Sequence, residues 1–411
     1  MFNPHVRLYL AGFILDFAIM TAITAIPFYV YNQIGGDAMM SGLFGGAQSV
    51  LYAGTCLFSS RFVGRTHHGL RWAYAGLLFY MVLLPSMVLS RNAWIAGGLA
   101  AVAWGGLAFA WPAFYSWFGA DPDPARRQKS LAWFNIAWSG GFTISPLFAG
   151  PLYDRAYWLP FVVVFAGTGA ALLLVVSLPR ERDYFGAPAH EDENDDTPVD
   201  WKSETFLYAS WMATLVANII LGAMRCVYPK RVNDLVAEGG LRLFFEDSPA
   251  HFLTVDAATK YSWVSFGCSL CTVLIFLYFG RSTVWRHKLG WLIGIQVAAG
   301  AAFWALATTT SLAVMMLAFA LAGATLGVAF FSSVYYSVAN PRLKHRRAAI
   351  NEGAVGIGGL LGSVVFGLLA NRLGMDFPFL WSPVFITAAI LFQFWLVRHG
   401  TRRVARMQGQ G

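Results

Sequence analysis

A series of apolar stretches, each long enough to cross a lipid bilayer, dominates the chain. A transmembrane helix needs about 20 apolar residues, and twelve such stretches run along the 411 residues. They start near Arg7, Met39, Leu70, Ala93, Ser130, Tyr157, Thr205, Thr259, Leu289, Ser311, Ala348 and Phe379. Charged residues make up only 12% of the chain, which is too few to cover the surface of a soluble fold. The sequence therefore predicts an all-α membrane protein with twelve transmembrane helices.

The basic residues indicate how the chain is oriented. Most of the 29 Lys and Arg residues lie at the termini or in the connections after the second, fourth, sixth, eighth and tenth predicted spans. Because cytoplasmic loops are enriched in positive charge, we expect both termini in the cytoplasm and the protein in the plasma (inner) membrane. These residues form no single patch, so the net charge of +8 does not indicate a nucleic-acid partner. We expect a monomer in the lipid bilayer.

An acidic segment divides the chain near its middle. Residues 179–204 hold nine of the 21 acidic residues, a composition typical of a solvated linker. We therefore predict three parts. These are a six-helix bundle over residues 1–178, an acidic cytoplasmic linker over 179–204, and a second six-helix bundle with a basic cytoplasmic tail over 205–411.

The two predicted bundles share short similarities at a constant offset in the sequence. Gly64-Arg65-Thr66 matches Gly280-Arg281-Ser282, and Ala113-Phe114-Tyr115-Ser116 matches Ala329-Phe330-Phe331-Ser332. With six spans in each half, both halves enter the membrane in the same direction. The repeat predicts two bundles related by a pseudo-two-fold axis along the membrane normal.

The connection after the second span resembles a motif of the major facilitator superfamily. The family pattern is Gly-x-x-x-Asp-Arg-x-Gly-Arg-Arg. This chain keeps a Gly-Arg pair at Gly64 and Arg65, while Arg61 stands where the family has Asp. The resemblance extends over the whole chain, because twelve spans in two halves, a hydrophilic central linker and cytoplasmic termini are the family's organisation.

The first and fifth spans are similar to those of the drug/proton antiporter group of this superfamily. Residues 141–150 resemble the antiporter signature Gly-x-x-x-Gly-Pro-x-x-Gly-Gly, with Ser145 and Ala149 in place of two of its glycines. The resemblance implies alternating access, in which the two bundles rock around a central site. It also implies that spans 1, 4, 7 and 10 line the central cavity.

Asp16 is an acidic residue inside the first predicted span. It lies about nine residues into the span, roughly 13 Å from the cytoplasmic end. Charges inside a membrane are costly and usually functional or paired. We therefore expect Asp16 to act as a proton-coupling site or as a counter-charge for a cationic solute. The alternative is a structural carboxyl that is hydrogen-bonded to neighbouring groups.

Arg225 is a basic residue inside the seventh predicted span. The repeat places it opposite Ile23, about 10 Å outward of the level of Asp16, so we expect no tight pair between the two charges. An arginine in the cavity suits a carboxylate, sulfonate or phosphate group through its fork of donors. The alternative is a side chain that reaches out to the water beyond Pro229.

Glu352 and Asn351 open the eleventh predicted span. The resemblance places the connection after the second span against the start of the eleventh. We therefore expect Glu352 to pair with Arg61 or Arg65 and latch a cytoplasmic gate. Arg281, the repeat counterpart of Arg65, is assigned to the same gate. Direct proton coupling through Glu352 is the alternative.

Aromatic and polar side chains on several spans are candidates to complete a solute pocket. These secondary candidates are Gln48, Tyr52, Trp111, Tyr115, Asn135, Trp138, Asn218, Phe331 and Tyr335. Helix packing is the alternative role for each of them.

The sequence thus predicts a secondary active transporter of a small organic solute, coupled to protons or another ion. Arg225 favours an organic anion or phosphorylated metabolite, whereas Asp16 and the aromatic residues favour proton-antiport efflux of lipophilic or cationic compounds. A membrane sensor that keeps the fold without transporting is a further alternative. We expect no enzyme and no ATP-driven pump, because the sequence has no Gly-x-Ser-x-Gly, His-Glu-x-x-His or Walker motif. The four cysteines show no zinc spacing, so neither a metal nor a cofactor is expected.

Overall fold

The computed structural model describes residues 3–63, 69–121, 123–180, 184–185, 201–243, 256–338 and 344–408, and most of these residues are helical. We number the helices in chain order as α1 (Pro4–Tyr29), α2 (Ala38–Val63), α3 (Gly69–Ser86), α4 (Ala93–Leu107), α5 (Ala110–Gly119), α6 (Pro124–Ile144), α7 (Pro146–Arg155), α8 (Leu159–Val176), α9 (Trp201–Cys226), α10 (Tyr228–Ala237), α11 (Ala257–Arg281), α12 (Leu289–Thr308), α13 (Leu312–Val338), α14 (Lys344–Leu373) and α15 (Phe377–Gln408). Residues 186–200 of the predicted acidic linker lie outside the described residues.

Among the described residues, ten helical segments are long and apolar enough to cross a membrane. They are Pro4–Ile34, Leu70–Leu89, Ala93–Phe118, Leu159–Val176, Lys202–Ala237, Ala257–Arg281, Leu289–Thr308, Leu312–Ser337, Ile350–Leu373 and Phe377–Gly400. Each coincides with one of the twelve predicted spans. Since no water is available inside a bilayer, a helix is the form in which such a segment satisfies its own backbone.

The two other predicted spans, near Met39 and Ser130, are helical but more polar. The first forms α2, which carries buried Ser41 and Gln48. The second is divided at Ser145 into α6 and α7, and the start of α6 carries a charged turn. Both segments pack against helices of the other half of the chain. Polar side chains are tolerated on such helices because they face protein rather than lipid.

The stretch after the seventh span contains a short further helix. Helix α10 begins directly after Val227. Lys230 pairs with Asp234 one turn along α10, and Arg231 pairs with Asp376 at the start of α15. The second of these ion pairs connects α10 to the start of α15. Residues 244–255 of this stretch lie outside the described residues.

The helices pack in two groups. In the first, α1 packs against α6 and α8, and α3 packs against α4. In the second, α9 packs against α14, and α11 packs against α13. The most extensive contact between the groups joins α2 to α14, and a second contact joins α7 to α11.

The two groups meet closely at one end of the molecule, which we call the far end because it lies opposite the start of α1. Tyr31 and Ser41 of the first group each donate a 2.6 Å hydrogen bond to the carbonyl oxygen of Cys226 at the end of α9. Gly42 brings α2 so near to α14 that an added Cβ would lie 2.3 Å from the carbonyl oxygen of Ser363. These contacts close the far end.

Candidate functional site

A small cavity lies between the two groups of helices, next to these far-end contacts. Its volume is about 20 Å³, and α1, α9, α11 and α13 form its walls. Its lining includes Met20, Thr24, Arg225, Tyr261 and Ser265. The first, seventh and tenth predicted spans therefore contribute to the cavity, as the resemblance implies. The fourth span, which was expected to line it as well, contributes none of the described lining residues, and the eighth span contributes a wall that the sequence analysis did not assign.

Arg225 lines this cavity from the last turn of α9. Its guanidinium carbon lies 5.8 Å from the centre of the Phe142 ring on α6. Its Nη2 atom contacts the Met20 sulfur at 3.7 Å. A ring face and a thioether are weak partners for a cation with five N–H donors. In the part of the chain that the structure describes, no carboxylate forms an ion pair with Arg225. The cavity wall therefore carries a positive charge that no described carboxylate contacts directly.

Asp16 lies on α1 one helical turn before Met20, and only 7% of its surface is exposed. Its Oδ2 atom is buried and has no hydrogen-bond partner among the described residues. The hydroxyl of Tyr80, which is also buried without a partner in the described structure, lies within electrostatic range of the carboxyl group. Asp16 is also within range of the Arg225 charge, although it does not line the cavity. A buried carboxyl that lacks a partner is costly in its charged form.

Four of the secondary candidates meet at the junction of α5 and α6. The indole nitrogen of Trp138 and the hydroxyl of Tyr115 both donate to the Asn135 Oδ1 atom, at 3.0 and 3.4 Å. Trp111 packs edge-to-face on Trp138, with ring centres 6.3 Å apart. These four side chains form an aromatic cluster with a polar centre on the first half.

Gln48, Tyr52 and Asn218 lie along the contact between α2, α9 and α14. The Gln48 Nε2 atom is buried and unpartnered among the described residues. The side chain of Asn218 donates to the carbonyl oxygen of Thr214 on its own helix at 2.8 Å. Its Cβ lies close enough to Gly358 that a side chain there would clash. Asn218 thus makes a packing contact with α14.

Phe331 and Tyr335 are separated from the cavity. Their rings lie 5.6 and 5.1 Å from the ring of Trp285, in the connection between α11 and α12. The guanidinium of Arg286 lies 4.8 Å from the centre of the Tyr335 ring. The structure therefore places these two candidates in a second aromatic cluster, away from Arg225.

The predicted gate can be traced only in part. Arg65 lies outside the described residues, as does the side chain of Arg61. Arg281 is exposed at the end of α11. Asn351 is buried and accepts a 2.6 Å hydrogen bond from Ser333. Glu352 lies within electrostatic range of Tyr52 and Tyr115 on the first half.

An ion pair that the sequence analysis missed lies beside this region. Arg347, in the first turn of α14, pairs with Glu204 at the start of α9. Only 6% of the surface of Arg347 is exposed. Glu204 was counted with the linker, and no spacing in the sequence connects it to a residue 143 positions away. The pair joins two helices of the second half.

The wall contributed by α11 was also missed, although the sequence carries a signal for it. Ser262, Ser265, Ser269 and Thr272 recur every three or four residues, so they lie on one face of α11. All four are buried. A row of hydroxyls on an otherwise apolar span indicates a face turned towards protein or a cavity rather than lipid.

Comparisons with known proteins identify the family. A family model described as Major Facilitator Superfamily matches residues 8–234. No curated protein matches the chain in sequence.

Solved structures share the fold over nearly the whole chain. A bacterial homologue of the human lysosomal transporter Spinster, inward-facing and unoccupied, is 14% identical, with 98% of each chain covered and a TM-score of 0.72. The nucleoside transporter NupG is 11% identical, with 96% of this chain and 99% of that chain covered and a TM-score of 0.71. A POT family transporter in complex with a thioalcohol-conjugated peptide is 12% identical, with 97% and 96% covered and a TM-score of 0.75. The family model spans more than half of the chain, which is thus a multi-pass membrane protein and belongs to the major facilitator superfamily.

Proposed function

We propose that the protein is a secondary active transporter that carries a small organic anion across the membrane by alternating access. The observation that carries this proposal is Arg225, a cation on the wall of the cavity between the two groups of helices. Among the described residues, its guanidinium group contacts the Phe142 ring face and the Met20 sulfur. A solute carboxylate or phosphate would supply the missing counter-charge through charge-assisted hydrogen bonds. The hydroxyl-rich wall of α11, with Ser265 and Ser269 at the cavity, offers further donors to the same anion.

The organisation that we propose has twelve spans in two six-helix bundles, residues 1–178 and 205–411, joined by the linker 179–204. The bundles are related by a pseudo-two-fold axis, and both termini lie on the cytoplasmic side of the inner membrane. In this orientation the far end faces away from the cytoplasm. A cavity of about 20 Å³ is well below the size of ordinary ligand pockets. Solute entry then requires the two bundles to separate further.

We propose that transport is coupled to protons through Asp16. Its buried Oδ2 atom has no hydrogen-bond partner among the described residues, so the neutral acid is the form that this environment favours. The charge of Arg225 is within range of Asp16 and favours the carboxylate. An anionic solute that neutralises Arg225 would remove this support and promote proton uptake by Asp16. At the cytoplasmic side, Glu352 would latch the closed gate with Arg61 or Arg65.

A thermal-shift screen of the purified protein against anionic, neutral and cationic metabolites tests the proposal. A ligand that binds the native state raises the melting temperature. We expect anions to stabilise the protein, and Arg225→Ala to weaken the apparent affinity by about tenfold or more. The affinity of Arg225→Lys should lie between those of the parent protein and Arg225→Ala, because lysine keeps the positive charge but lacks the planar, bidentate guanidinium group. Arg372→Ala, at an exposed position near the end of α14, is the matched control.

Flux measurements complete the test. The best anion from the screen should enter proteoliposomes when a pH gradient is imposed, and Arg225→Ala should abolish this uptake. Anion stabilisation that survives in Arg225→Ala would contradict the proposed site. A ligand that binds but crosses the membrane no faster than in empty liposomes would contradict transport.

Efflux of lipophilic cations is the second candidate, and the unpartnered Asp16 Oδ2 atom is the observation that favours it. A buried carboxyl can alternate between a proton and a cationic drug. In this case cations would raise the melting temperature, Asp16→Asn would remove the effect, and Arg225→Ala would leave it intact.

A further inference from the structure

Helix α11 begins at the far end without a cap from its own N-terminal residue. Asp256 occupies the N-cap position, but its side chain makes no capping hydrogen bond. The capping group comes from the first half of the chain. The Oδ2 atom of Asp154, near the end of α7, accepts hydrogen bonds from the backbone N–H and the hydroxyl of Thr259, at 2.8 and 2.5 Å.

The side chain that caps the first turn of α11 therefore belongs to the other half of the chain. The first turn of a helix has N–H groups without intrahelical partners, and a carboxylate there is favoured by both hydrogen bonding and the helix dipole. Hydrogen bonds to a charged acceptor are about twice as strong as neutral ones. Asp154 therefore forms a directional bond between the two halves.

The backbones of α7 and α11 touch beside this cap. Gly150 lies one turn before Asp154, and an added Cβ there would lie 2.4 Å from the carbonyl oxygen of Ala258 and 2.5 Å from the Ser262 hydroxyl. Thr259 and Ser262 are 3% and 0% exposed. The contact thus excludes solvent from the start of α11.

We propose that the Asp154 cap is the latch that holds the far end closed, and that it must break before the cavity can open at that end. This inference rests on the alternating access of the proposed function. When the two halves separate, α11 loses the Asp154 cap and α7 loses its contact with α11. Both losses raise the free energy of the open state and so oppose opening. The latch therefore sets how often the far end opens, whichever solute is carried.

The accessibility of a buried cysteine at the far end tests the proposed role of the Asp154 cap without any substrate. We would replace Cys56, Cys226, Cys268 and Cys271 by serine and introduce Ser262→Cys as the reporter, since this change is nearly isosteric and the position is fully buried. The purified full chain in lipid nanodiscs is then treated with a bulky maleimide. Asp154→Ala should increase the labelling rate by about tenfold, as expected for the loss of a charge-assisted bond.

Two further variants separate a latch from general destabilisation. Thr259→Val removes one of the two hydrogen bonds and should give a smaller increase in labelling. Asp154 and Asp256 line one groove at the far end. Asp256→Ala removes the carboxylate that makes no capping hydrogen bond, so its labelling should stay at the parent rate. The melting temperature of each variant shows whether it is folded.

Faster labelling in Asp154→Ala and Thr259→Val, with Asp256→Ala unchanged, would support the latch. Labelling at the parent rate in a folded Asp154→Ala protein would overturn it, as would an equal increase in Asp256→Ala. If Asp154→Ala fails to fold, Thr259→Val decides in the same way. Because no solute is present, a failure of the Arg225 proposal would leave this result readable.

Discussion

Gln296 on α12 and Gln393 on α15 form a reciprocal pair of hydrogen bonds, and we predict that breaking the pair from one side costs more than removing it entirely. Each Nε2 atom donates to the other Oε1 atom, at 3.0 and 2.9 Å, and both side chains are 0% exposed. Interhelical hydrogen bonds in membrane proteins contribute about 0.6 kcal/mol on average and up to about 1.7. Two such bonds give a coupling free energy of about 1–3 kcal/mol.

A double-mutant cycle measures this coupling. Gln296→Leu and Gln393→Leu should each lower the free energy of unfolding in detergent, because each leaves a buried amide without its partner. The double variant should recover most of the loss, since two leucines of similar volume can pack in the same space. Val297→Leu, on the exposed side of α12, is the control for a change of volume alone. Single-variant losses that add in the double variant would refute the reasoning.

Three other variants test the α7–α11 contact at the far end, the proposed proton site Asp16, and the ion pair between Asp121 and Arg126. Gly150→Ala places a Cβ 2.4 Å from the carbonyl oxygen of Ala258, so it should separate α7 from α11 and raise the maleimide labelling rate of the Ser262→Cys reporter. An unchanged labelling rate would show that the two helices accommodate the added methyl group. Asp16→Asn should make uptake independent of the pH gradient, and uptake that still follows the gradient would remove Asp16 from the coupling. Burial acts to raise the pKa of Asp121, but the hydrogen bonds from Arg126 and from the backbone N–H of Asp123, together with the charge of Arg126, outweigh this effect and hold the pKa below the usual value. The stability that it contributes is therefore present at neutral pH and lost as the pH falls through that lowered pKa, and Asp121→Asn should remove this acid-dependent loss in a melting curve at graded pH.

The architecture was largely predictable because membrane helices are specified by composition over 20 residues. Ten of the twelve predicted spans are helices of the expected length and hydropathy. Helix α2 shows where the criterion weakens. Gln48 and Ser41 lower its hydropathy, but both are buried in protein, and Ser41 donates to the carbonyl oxygen of Cys226 on α9. Hydropathy measures the preference for lipid, and a helix enclosed by other helices does not need to satisfy it.

The charged residues of the candidate site could be predicted from the sequence, but the aromatic and polar residues that line its cavity could not. Arg225 and Asp16 stood out because an ionisable residue inside a span is rare. Phe331 and Tyr335 were chosen as aromatic residues of the tenth span, which the resemblance places at the central cavity, and the structure packs them around Trp285. Which aromatic residues line a cavity depends on the rotation of each helix, and a helix that is apolar all round gives no periodic signal for that rotation.

The end of α9 links the cavity to the far-end contacts within a single turn. Arg225 lines the cavity, and the carbonyl oxygen of the next residue, Cys226, accepts hydrogen bonds from Tyr31 and Ser41 on the first half. Because consecutive residues of a helix move together, a shift of Arg225 towards a bound anion displaces this carbonyl from its two donors. The Asp154 cap on α11 lies at the same end but on a different helix, so it resists the same separation independently. Under the proposed function, we therefore expect solute binding and far-end opening to be coupled through the last turn of α9, and the α7–α11 contact to set the free energy that this coupling has to exceed.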